Sequence, residues 1–60
     1  MKNYYEILEI TENASTEVIQ AAYKALVKRY HPDNNKYPSS ICEEKMRDIN
    51  EAFSVLVLLQ

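Results

Sequence analysis

Three stretches of the chain space their apolar residues as helices do, and polar runs separate them. In the second stretch Ile19, Ala22, Tyr23, Leu26 and Tyr30 recur at intervals of three, one, three and four. Such intervals place side chains on one face of an α-helix. Glu17, Gln20, Lys24 and Lys28 take the opposite face. Ser15 stands where a cap is needed, and Glu17 suits the positive end of the helix dipole. Pro32 ends the run, because the residue before a proline is pushed out of the α region, and that residue is His31. The spacing predicts a helix over about 15–30.

Nearer the start, Tyr5 and Leu8 lie three apart, and Asn3 can cap the amides that follow, with Glu6 reaching back to the backbone. A short helix over about 3–8 follows, and Thr11-Glu12-Asn13-Ala14 reads as a loop. In the third stretch Met46, Ile49, Ala52, Phe53 and Leu56 share a face. Ser40-Ile41-Cys42-Glu43 has the form of a capping box, so a helix is expected over about 40–57. The second and third stripes match, and the polar run from His31 to Ser39 is long enough to fold them back antiparallel. Ala22 and Ala52 permit close approach. The expected fold is all-α: one domain over 1–60, a short N-terminal helix plus an antiparallel helical hairpin.

The end of the chain breaks the stripe. Val55 to Leu59 are apolar at five consecutive positions. Successive helical residues point ~100° apart, so one face cannot bury all five. Leu56 continues the stripe and Leu59 can follow it, which leaves Val55, Val57 and Leu58 without cover. The expectation is that a following segment or a second copy of the domain covers this end, the latter giving self-association.

Composition narrows the chemistry. A chain of 60 residues buries only about 60% of the surface its unfolded form exposes. Cys42 is the only cysteine and His31 the only histidine, so neither a disulfide nor a metal staple is expected. Without glycine there is no phosphate-cradling loop, and so small a core leaves little room for a deep catalytic pocket. No cofactor is expected. A net charge of −2 gives no drive towards nucleic acid. No apolar run approaches the ~20 residues of a membrane span. Met1-Lys2-Asn3-Tyr4 does not open a secretory leader. With one free thiol, a reducing cytoplasm is the expected location.

The net charge hides an asymmetry. Residues 15–30 carry +2, whereas 1–14 and 41–60 each carry −2. The cations Lys24, Lys28 and Arg29 crowd the C-terminal half of the second helix. Complementing the dipole accounts for Lys28 and Arg29. It accounts poorly for Lys24, two turns from the end, which also repels Lys28 at a spacing of four. Two readings stand: a solvated face, or a face that meets an acidic partner.

His31-Pro32-Asp33 follows directly on this basic helix. With Tyr4-Tyr5-Glu6-Ile7-Leu8, Ala14-Ser15, Ala22-Tyr23-Lys24, Leu26 and Lys45-Met46-Arg47-Asp48-Ile49-Asn50-Glu51-Ala52-Phe53, nearly the whole chain resembles the J domain of DnaJ-type co-chaperones. The resemblance implies a module that docks on a DnaK-type chaperone ATPase and stimulates its ATP hydrolysis, helping it trap unfolded clients. It implies that His31, Pro32 and Asp33, in the loop between the second and third helices, act at the junction of the ATPase domain and its linker. It also implies that Lys24, Lys28 and Arg29 meet an acidic surface, with Tyr23 either packed in the core or at the docking edge. The residue chemistry agrees. A carboxylate in an exposed turn can make a charge-assisted pair with a partner arginine, and a proline lowers the cost of ordering that turn.

The sequence also departs from the family pattern. Glu9 stands where a glycine is frequent, and Gln20 and Ala25 where lysine or arginine is frequent. No counterpart of the polar fourth helix lies within these residues. Three rival readings are a J-like scaffold that docks without stimulating, a small helical nucleic-acid reader, and an enzyme using His31 and Asp33. The long second loop and the negative charge weigh against the nucleic-acid reader. The enzyme lacks a nucleophile and a pocket beside the two residues.

Overall fold

The structure is a computed structural model that describes residues 3–31, 33 and 36–59. Pro32, the centre of the triplet, and the loop residues Asn34 and Asn35 lie outside the described residues. Three helices follow one another: α1 (Tyr4–Ile7), α2 (Thr16–Tyr30) and α3 (Ser39–Leu58). No strand occurs among the described residues.

The first two helices start where local chemistry directs. The Asn3 side chain accepts the amides of Tyr5 at 3.1 Å and Glu6 at 3.3 Å, and Ser15 Oγ accepts that of Val18 at 3.3 Å. Each satisfies amides that the first turn leaves without a helical partner. At the other end of α2, His31 is extended, with φ −66° and ψ 127°. α3 corrects the expected capping box. It begins at Ser39 rather than Ser40, Pro38 is the cap, and no side chain bonds the first turn. The Pro38 carbonyl receives the amides of Ile41 and Cys42 at 3.0 and 3.1 Å. A ring that already fixes φ sets the entry angle, and both serines then fall inside the helix.

α1 and α2 both pack on α3. Tyr23, in the middle of α2, stacks on Phe53 of α3 with ring centroids 4.1 Å apart, and Tyr30 at its end lies 5.4 Å from Tyr37 just before α3. These pairs set α2 and α3 antiparallel. The core comprises Leu8, Ile19, Leu26, Ile49, Ala52 and Leu56, with Ala22, Tyr23, Tyr30 and Phe53 half-buried around it. Ala52 is wholly covered, as the close approach of the helices requires. Tyr4 Oη donates to Glu51 Oε2 at 3.0 Å and ties α1 to α3.

The apolar end divides differently from the expected stripe. Leu56 is buried and Val55 half-buried, but Leu59 is 71% exposed, with Leu58 at 85% and Val57 at 40%. α3 has 20 residues and α2 has 15, so beyond Leu56 the longer helix has outrun its partners. Leu59 is the C-cap of α3, and among the described residues no second helix covers it.

Candidate functional site

The turn that leaves α2 projects into solvent and bonds to itself. The Asp33 amide donates to His31 Nδ1 at 3.3 Å. Asp33 Oδ2 lies 3.8 Å from the same Nδ1, and the Asp33 side chain is 84% exposed against 50% for His31. Nothing of this carboxylate is committed to the core. The turn therefore presents an exposed acceptor beside a ring whose orientation a backbone bond fixes. Tyr30 and Tyr37, on either side of it in the chain, bring their rings within 5.4 Å of each other.

Lys24 and Lys28 are exposed on α2. Four residues apart, they point within ~40° of each other around the helix axis. Arg29 points ~100° away from Lys28. Its Nη1 lies 2.8 Å from Glu9 Oε2 at the turn after α1. Hydrogen bonding with Tyr30, and the charge of the Glu9 carboxylate, hold the guanidinium above its ordinary pKa. The cations that read as one cluster in the sequence are thus divided, with two exposed on one stripe and the third engaged towards α1. Tyr23 is half-buried, and its hydroxyl donates to Asn50 Oδ1 at 2.8 Å. The structure gives it a place in the α2–α3 seam.

Glu9 has φ +59°, the one positive value at a non-glycine position among the described residues. The turn keeps the left-handed shape that a glycine would suit, at a cost of about 1–2 kcal/mol for a residue with a Cβ. The sequence flagged the missing glycine but not the carboxylate's partner, 20 residues away. Tyr37 was also missed, although an aromatic residue inside a polar loop is itself a signal. Its carbonyl accepts the thiol of Cys42 at 3.8 Å, and that cysteine is buried. Among the described residues no group of three or more His, Cys, Asp or Glu is placed to hold a metal ion, and no helix is long and apolar enough to cross a membrane.

The family model for the DnaJ domain matches residues 3–58, spanning all three helices and the turn between α2 and α3. The chain belongs to the DnaJ domain family. Its similarity to curated chaperones is close. It is 56% identical over 55 residues to chaperone protein DnaJ 2 of Aquifex aeolicus, covering 92% of this chain and 14% of that protein. It is 53% identical over 55 residues to chaperone protein DnaJ of Dictyoglomus thermophilum, covering 92% and 14%. With DnaJ 2 of Thermus thermophilus the identity is again 53% over 55 residues, covering 92% and 19%. This DnaJ domain therefore spans less than a fifth of the length of these relatives. No solved structure matches the chain. The family is one of chaperones rather than of enzymes.

Proposed function

We propose that this domain docks on a DnaK-type chaperone ATPase in the cytoplasm and stimulates its ATP hydrolysis. The observation that carries the reading is the DnaJ-domain match over residues 3–58, which spans the His31–Asp33 turn at the end of a basic helix. In this reading Asp33, exposed and outside the core, pairs with a cation of the ATPase. His31 lies beside it in the same turn, and a proline between the two lowers the cost of ordering on binding. Lys24 and Lys28 steer the encounter with an acidic surface, while Arg29, whose charge Glu9 offsets, adds little to that steering. Tyr23 supports this face by fixing α2 on α3. A single-turnover ATPase assay with a purified DnaK-type chaperone tests the proposal. Wild type is expected to accelerate hydrolysis, and Asp33→Asn to remove at least about nine-tenths of the acceleration. Docking without acceleration would instead identify a scaffold. Binding to DNA that weakens with salt, without binding to the chaperone, would identify a nucleic-acid reader.

A further inference from the structure

The turn after α1 holds a residue that its backbone does not favour, and the side chain of that residue reaches the basic helix. Glu9 adopts φ +59° without being glycine, so the backbone offers no reason for a carboxylate here. The carboxylate lies 2.8 Å from Arg29 Nη1, and the two side chains are 57% and 48% exposed. An ion pair this open to water is readily exchanged for another carboxylate. Arg29 is one of three cations in the second half of α2, and the other two, Lys24 and Lys28, stand exposed on their own stripe. The geometry points to Glu9 as an intramolecular competitor, which occupies Arg29 and weakens the hold of an acidic docking partner on this domain. This inference rests on the co-chaperone reading above and sharpens it. The partner surface it concerns is a carboxylate-bearing edge that reaches around α2 from Lys28 towards α1.

Charge at long range and contact at short range separate in the kinetics. Removing the Glu9 charge raises the net positive field whatever Arg29 does, so association rates change additively. Competition for one guanidinium is not additive, and it acts on dissociation.

The test is a double-mutant cycle of wild type, Glu9→Gln, Arg29→Gln and the double variant, with dissociation from an immobilised DnaK-type ATPase followed at ~0.1 M salt. Glu9→Gln is expected to slow dissociation about threefold to tenfold. Arg29→Gln is expected to change it by less than about twofold in the wild-type background and to abolish the gain in the Glu9→Gln background. Glu9→Gly, which suits the left-handed backbone, is expected to match Glu9→Gln. Equal effects of Arg29→Gln in both backgrounds would overturn the inference and leave the co-chaperone reading intact. So would a gain confined to Glu9→Gly, which would trace it to the backbone. A folded wild type that neither docks nor stimulates would overturn both.

Discussion

The two turns that flank α2 are built from similar polar residues but differ in what they bond to. The turn after α1 is tied into the body. Leu8 is buried beneath it, the Ile10 amide reaches back to the Tyr5 carbonyl at 3.0 Å, and Glu9 crosses to Arg29. The turn after α2 bonds within itself, Asp33 amide to His31 ring, and leaves its carboxylate to solvent. The first turn has residues that hold the helices in place. The second turns its described side chains to solvent and to each other. A residue's proximity to a helix end thus says little about its role, whereas the direction of its bonds says a great deal.

Substitutions in the two turns should separate fold from docking. Leu8→Ala, in the first turn, is expected to cost about 2–5 kcal/mol in denaturant unfolding. That is a large share of the total stability of a small domain. Asp33→Asn, in the second, is expected to reduce ATPase stimulation at least about tenfold while stability stays within ~0.5 kcal/mol. A comparable loss of stability would place Asp33 in the scaffold and erase the distinction. Lys24→Glu changes the exposed stripe that Lys24 and Lys28 share on α2. It is expected to slow association several-fold at ~0.1 M salt, to affect dissociation less, and to lose most of this effect near 1 M, where the Debye length falls to ~3 Å. Salt-independent docking would return this lysine to plain solvation. The smallest effect is expected of Glu9→Gly, where relief of the left-handed backbone outweighs the lost surface pair. A net gain of about 0.5 kcal/mol raises Tm by ~2–4 °C in a domain of this size.

Much of this arrangement was legible in the sequence, for reasons that differ by residue. Asn3, Ser15 and His31 were readable because caps and proline boundaries are decided within three or four residues. The stripes of α2 and α3 were readable because burial repeats with the helical period. The start of α3 was misplaced because two serines follow Pro38, and only the proline carbonyl's bonds to Ile41 and Cys42 distinguish them. The end of α3 was misassigned at Val55 and Leu59, since the face that meets the core depends on where the neighbouring helices stop. At the candidate site, the order of His31, Pro32 and Asp33 was plain in the chain. The division of Lys24 and Lys28 from Arg29 was not, because it depends on a glutamate that is distant in sequence and adjacent only after folding.

The burial of Cys42 makes this domain its own reporter. It is the chain's only thiol, 1% exposed, with its sulfur against the Tyr37 carbonyl where the α2–α3 loop joins α3. An alkylating reagent can reach it only when that joint opens, so the labelling rate counts openings of the native state without an introduced probe. If docking at the neighbouring turn stiffens the joint, labelling slows in the complex. If docking leaves the joint untouched, free and bound domains label alike. One mass measurement over time then reads how far the partner's grip extends into the fold.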